Sequence, residues 1–195
     1  MRHKRGVFQM ALGLMLLAAA GGLLARNRAE DRRAGEASDR ALRAVNQVIA
    51  STAVHGKKNG IGEEMPEAEI DGQCYIGRLT IPRLKLELPI LSEWSDDRLK
   101  LAPCRYSGTA AGEDLVLLAH NYRTHFGPIR RLKPGDLVHF ADMNGTVFAY
   151  QVTATAVLEP AALEEVTAGI HDLTLVTCTY GGQSRLVVYC AQTAI

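Results

Sequence analysis

Cys178 and Arg185 are the residues whose types and spacing point to chemistry. They stand on two apolar, β-branched arms, Thr174–Cys178 and Arg185–Tyr189, joined by a turn that contains Gly181 and Gly182. That pattern predicts a β-hairpin. A turn centred on the two glycines sets Cys178 opposite Arg185, and directly opposed residues share a face with Cβ atoms about 4.5–5.5 Å apart. A fixed positive charge beside a thiol favours the thiolate, the reactive form. A packed structural cysteine beside a solvated arginine would show the same spacing. The hairpin alone leaves both roles open.

A thiolate that attacks a peptide needs an acid/base partner to protonate the departing amine. Of six histidines, His120 has the best position: it closes the apolar run Leu115–Ala119 and opens the loop Asn121-Tyr-Arg-Thr-His125-Phe-Gly. The end of a core strand facing a loop is where a rigid scaffold presents reactive groups. A histidine that caps the strand end by bonding backbone fits the same place. His125, inside the loop, is the rival. His3 and His55 fall in terminal and linker segments, and His139 and His171 in ordinary strand or loop contexts.

The elements that must position these groups read as mainly β. From Tyr75 onward the apolar period switches to two, with Leu84, Leu86, Leu88 and Ile90 alternating with polar residues and Pro89 marking an edge or bulge. Leu115–Ala119 suits a fully buried strand. Leu137–Ala141 and Thr146–Thr153 flank Asn144-Gly145, the strongest short hairpin signal, and Lys133-Pro-Gly-Asp136 is a tight turn. Pro160–Ile170, rich in Ala and Glu, fits a short helix. Seven or eight short strands with frequent turns predict a small barrel or sandwich.

Ahead of the strands, Val7 to Ala25 carries no charge. At 1.5 Å per residue it reaches about 28 Å, enough for a membrane anchor. Arg2, Lys4 and Arg5 precede it, and Arg26, Arg28, Arg32 and Arg33 follow, so counting Lys and Arg leaves the orientation undecided. A cleaved signal peptide ending at Ala18–Ala20 is the competing reading. Residues 26–40 are highly charged. An amphipathic helix is expected next, N-capped by Ser38, with a stripe of Leu42, Val45, Ile49 and Thr52 widened by Ala41 and Val48. Residues 55–69 read as a linker. The expected organisation is a terminus at 1–6, an anchor at 7–25, a helix and linker at 26–71, and a catalytic domain at 72–195.

Composition adds bounds. Across 195 residues, 47% are apolar and 22% charged, an ordinary globular balance, and the net charge of +1 argues against a nucleic-acid partner. Four cysteines outside the cytoplasm permit two disulfides, although strand alternation points Cys178 and Cys190 to opposite faces. No Cys-x-x-Cys pair exists, so a zinc or thioredoxin-like site is not expected, and with no phosphate-cradling Gly loop no cofactor is expected. Arg130, Arg131 and Lys133 read as a solvated basic face, and Trp94 as core or rim.

The ordered set Ala119-His120-Asn121, Thr174-Leu-Val-Thr177-Cys178 and Arg185-Leu-Val-Val resembles the sortase family of cell-wall transpeptidases. The similarity runs from about Gly72 to Tyr189 and takes in Ile76–Pro82, Tyr106-Ser-Gly, and Phe126-Gly-Pro-Ile ahead of Leu132-Lys-Pro-Gly-Asp136. The resemblance implies a closed eight-stranded β-barrel behind an N-terminal transmembrane helix. It implies that Cys178 attacks the carbonyl after the Thr of a Leu-Pro-any-Thr-Gly-type sorting signal on a secreted protein. His120 would serve as acid and then base, and Arg185 would hold the substrate and its oxyanion. An amine of a peptidoglycan precursor or a pilin would then resolve the thioester, on the outer face of a bacterial, Gram-positive membrane. Thr177 and Tyr180, flanking the nucleophile, are candidate groove residues.

The chain departs from that pattern in places. Ala119 stands where many members have Gly, and the turn after Cys178 is short. The Tyr106-Ser-Gly and His120-Asn121-Tyr122 contexts look class B-like, yet residues 159–173 are too few for the class B helical insert. No Asp-Pro-aromatic lid of the pilin-polymerising class is present. Two other readings stay open: a cell-wall thiol peptidase without transfer, which the order His120, Cys178, Arg185 disfavours, and a non-catalytic tethered β-domain held by disulfides.

Overall fold

A computed structural model of the chain describes residues 2–55, 65–162, 170–179 and 181–194. Helix α1 spans Arg2–His55. Nine strands follow: β1 (Ala68–Ile70), β2 (Gln73–Ile81), β3 (Leu86–Leu91), β4 (Cys104–Ser107), β5 (Leu115–Leu118), β6 (Leu137–Asp142), β7 (Val147–Leu158), β8 (Leu173–Cys178) and β9 (Arg185–Thr193). The sheet order is β1-β2-β3-β4-β5-β8-β9-β7-β6, and β6 pairs back onto β2. Eight strands therefore close a barrel, and β1 adds an outer strand to β2. Closure leaves no edge in that ring open to foreign strands.

Closure depends on Gly77. There β2 shifts register against β3 while also pairing with β6 at Asp142. Its φ of 151° and the nearness of the Ala141 carbonyl and the Phe140 ring leave no room for a Cβ. The barrel interior is filled from alternate strand positions, including Leu79, Ile81, Leu88, Ile90, Leu115, Leu117, Phe140 and Tyr150. A second cluster lies outside it, where Val45 of α1, flanked by Ala41, Val48 and Ile49, packs with Tyr75, Leu91, Leu99, Cys104 and Met143. The apolar stripe expected of this helix thus covers the sheet from outside.

Several elements differ from the sequence reading. The charged stretch 26–40 is helical and continuous with the residues on either side, because its Ala, Arg and Glu content favours helix as strongly as the flanks do. Ser38 consequently lies in the helix interior and is buried at 2% exposure, so it caps nothing. The polar stretch before the barrel ends in strand β1, three residues held by pairing with β2 rather than by their own pattern. Of the helix expected at Pro160–Ile170, Pro160–Ala162 form one 3-10 turn, and residues 163–169 lie outside the described residues. Residues 56–64 of the expected linker also lie outside them.

The chain divides into two compact units, Met1–Arg33 and Ala34–Ile195. The first is the apolar half of α1, with Val7, Phe8, Met10, Leu14, Leu16, Leu17 and Leu23 exposed. Among the described residues, α1 is the one helix long and apolar enough to cross a membrane. Such side chains are at home in lipid.

Candidate active site

Strands β8 and β9 form the hairpin read from the sequence, with Cys178 paired to Arg185. The turn closes through Thr179 N–H donating to the Ser184 carbonyl at 2.9 Å and Gly182 N–H donating to the Thr179 carbonyl at 2.9 Å. Gly181 and Gly182 hold φ of 90° and 73°, a region that favours glycine. Tyr180, between them and Thr179, lies outside the described residues. Arg185 is half-buried and its Nη1 donates to the Gly182 carbonyl at 3.2 Å. The guanidinium is thereby held at the mouth of the turn.

The third group arrives on the other side of β8. Strand β5 runs parallel to β8 with Leu118 opposite Val176, and Ala119 N–H donates to the Val176 carbonyl at 3.1 Å. His120 follows two residues after the last paired position of β5, as Cys178 does on β8. Two hydrogen bonds fasten this point. The Thr177 hydroxyl donates to the Ala119 carbonyl at 2.8 Å, and Asn121 Nδ2 donates to the Thr179 carbonyl at 3.3 Å. They bracket His120 and Cys178 and leave both side chains free to face the same way. Cys178 is thus paired with Arg185 on one side, and His120 follows the end of the strand on its other side.

Thr177 is buried at 3% exposure with its hydroxyl committed to this link. A Thr177→Val substitution keeps the shape but leaves the Ala119 carbonyl without that donor. It is expected to lower stability by about 1–3 kcal/mol, read from a denaturant melt, and to slow turnover by loosening His120. Asn121 was quoted in the sequence motif without a role; its amide is the second fastener. His125 is fully buried, with its ring against Tyr122 at 5.4 Å between centroids, whereas His120 is only half-buried.

The electrostatics separate the thiols. No disulfide joins the four cysteines. Burial pushes the Cys104 and Cys190 thiols up to about 12, which keeps them protonated and inert. Cys178 is half-exposed. Cys190 sits in the barrel interior, on the face opposite Cys178, as strand alternation requires. Burial holds the His120 imidazole below its ordinary value; Asp96 opposes that shift and Lys100 adds to it. Asp96 belongs to the connection between β3 and β4, and nothing in its local sequence signals that it faces His120.

On the same face as Cys178 and Arg185, Val116, Val176 and Val187 form a buried apolar cluster, with the partly buried Tyr106, Leu118, Leu158 and Tyr189 packed against it. Trp94 stands at the rim, 47% exposed, with its ring 5.7 Å from that of Tyr106. Arg130, Arg131 and Lys133 are solvated. The face thus carries an apolar cluster beside a half-exposed thiol that is paired with an arginine across the hairpin.

A closed eight-stranded barrel is the architecture the resemblance implies. A family model, the sortase domain, matches residues 79–193, more than half of the chain, and the chain belongs to the sortase family. Sortase A of Bacillus anthracis is 31% identical over 121 residues, covering 59% of this chain and 57% of that protein. The chain thus spans a little over half the length of that curated relative. Among solved structures, sortase C1 of Streptococcus suis superposes with a TM-score of 0.55 at 28% identity, covering 62% of this chain and 74% of that one. Sortase C of Clostridium perfringens gives 0.56 at 26% identity, covering 82% and 91%. The class B-like sequence contexts have no counterpart in these three names.

Proposed function

We propose that this chain is a cysteine transpeptidase that cleaves a C-terminal sorting signal and transfers the acyl part to a primary amine. The observation that supports the reading is the pairing of Cys178 with Arg185 across β8 and β9, beside a parallel β5–β8 register that ends two residues before His120. An extended sorting peptide lies against the partly buried Tyr106, Leu118, Leu158 and Tyr189 that cover the valine cluster, its apolar side chains against theirs. Cys178 Sγ attacks the scissile carbonyl carbon; the S–C bond forms and the C=O electron pair moves onto oxygen. Arg185 faces the resulting negative charge, a fixed cation where charge develops. His120, kept neutral by burial, takes the thiol proton and hands it to the amine as the C–N bond breaks. The product is a thioester, which keeps enough bond energy for transfer without a nucleotide. The incoming amine gives its proton to His120, attacks the thioester carbon and releases the Cys178 thiolate.

The acceptor is a primary amine of a peptidoglycan precursor or a pilin, chemistry that the two sources share. The apolar half of α1 anchors the chain, and Ala34–Ile195 lies on the outer bacterial face, where secreted substrates and wall precursors meet. Incubating the full chain with a mixed sorting-peptide library and an added amine tests the reading by product mass. Peptides joined to the amine are the expected products; products that carry water alone would leave a thiol peptidase.

Arg185 gives a graded check. Arg185→Ala is expected to lower kcat by about 10²–10³ fold, the cost of one oxyanion-stabilising group. Arg185→Lys should recover part of that, since a point charge replaces the charge but not the planar fork. Steady-state cleavage of a quenched fluorescent sorting peptide reads both.

A further inference from the structure

We propose that the α1 segment Ala34–Ser38 is a positioning element of the active centre, and that Gly35 sets the placement of the His120 loop through its contact with Thr124. The claim rests on His120 being the acid/base of the reaction. Ala34, Gly35 and Ser38 are all buried, unlike Arg33 and Glu36 beside them. A Cβ at Gly35 would fall 2.8 Å from Thr124 Cγ2 and 3.1 Å from its Cβ. The helix therefore meets the loop closely enough to exclude even a methyl group.

Two features make this contact more than packing. Glycine is a poor helix former beside alanine, so its presence mid-helix calls for a reason of space. Its partner also yields little, because a β-branched threonine is stiff at χ1. Behind Thr124 the loop is a single self-bonded body. Phe126 N–H donates to the His120 carbonyl at 3.2 Å, and His125 N–H and Gly127 N–H donate to the Tyr122 carbonyl at 3.1 and 2.8 Å. The His120 and Tyr122 rings stand 5.0 Å apart, and Tyr122 and His125 rings 5.4 Å. A Cβ at Gly127 would strike the carbonyls of Asn121 and Tyr122, so the loop cannot loosen there. A push at Thr124 is delivered to His120.

The test uses the full chain in detergent micelles with a fluorescent sorting peptide, following kcat, KM, the pH profile and thermal melting. Gly35→Ala is expected to lower kcat about 10-fold and Gly35→Leu about 100-fold, the scale of small misplacements of a catalytic group. KM changes little, and the acid limb of kcat/KM moves up toward the ordinary imidazole value as His120 leaves its buried seat. Adding Thr124→Ser to Gly35→Ala removes the clashing methyl and should restore most of the rate, a coupling that independent sites would not show. If Gly35→Leu does not fold, this alanine pair carries the test. Parental kcat and an unmoved acid limb in Gly35→Ala overturn the proposal, whether or not the melting temperature falls. So does a double variant no faster than Gly35→Ala. His120→Ala in the same assay separates the levels. If it keeps parental activity, the acid/base reading falls and the positioning claim with it. If it loses activity while Gly35→Ala does not, the positioning claim falls alone.

Discussion

A Cys178→Ala chain is expected to form no covalent adduct with a sorting peptide and to lose at least about four orders of magnitude in cleavage rate. Removing a nucleophile leaves only what binding and oxyanion stabilisation supply, and losses of that size follow in enzymes whose groups act as a unit. The other thiols cannot substitute. Cys104 and Cys190 are buried and held at about 12 by burial, and Cys74 stands on β2, whose sheet neighbours are β1, β3 and β6 rather than β8. The variant should fold, because Cys178 is half-exposed at a strand end and its loss opens no core cavity. Intact-protein mass after incubation with peptide reads the adduct, and a melt confirms the fold. An adduct that persisted in Cys178→Ala would remove the nucleophile assignment.

The second large effect belongs to His120. His120→Ala is expected to lower kcat/KM by about 10²–10⁴ fold, the usual worth of a positioned acid/base. In the parent chain the pH dependence has a definite sign. Burial disfavours the charged imidazolium, so the folded value lies below the ordinary one. The neutral base then persists to lower pH, and the acid limb of kcat/KM should fall below the ordinary imidazole value rather than at it. Stability follows the same linkage. Between the depressed folded value and the ordinary unfolded value the unfolded chain binds more protons, so His120 contributes a loss of stability as pH falls through that window. Asp96 opposes the shift, and Asp96→Asn should therefore lower the acid limb further. A profile whose acid limb lies at or above the ordinary value would contradict this assignment.

What the sequence made legible follows the range of the interactions. The pairing of Cys178 with Arg185 is set by the Gly181-Gly182 turn a few residues away, and the register agrees. The buried run before His120 announced a core strand in the same local way. The adjacency of β5 and β8 is different: Ala119 and Thr177 lie 58 residues apart in the chain, and no local pattern pairs them. Its place at the end of a buried strand made His120 a candidate partner for Cys178, and the family resemblance alone joined the two segments. Thr177 makes a contact that its place in the sequence does not announce. Beside the nucleophile in sequence, it points to the opposite side of the strand and ties β8 to the start of the His120 loop. Ser38 looked like a helix cap because a polar, small residue precedes an apolar stripe. The helical tendency of the preceding Ala-, Arg- and Glu-rich residues overrides it, and the same small residues let α1 approach Thr124. Strand β1 was hidden for a related reason, since its three residues are ordered by β2 and not by their own alternation.

The most direct measurement is to trap the acyl-enzyme. The full chain is mixed with a sorting-signal peptide, quenched in acid and digested, and the modified residue is located by mass spectrometry. A thioester joining the acyl part of the peptide to Cys178, released by hydroxylamine and absent in His120→Ala on the same timescale, is the predicted result. Acylation at any other residue, or transfer to the amine without a thioester on Cys178, would contradict the account.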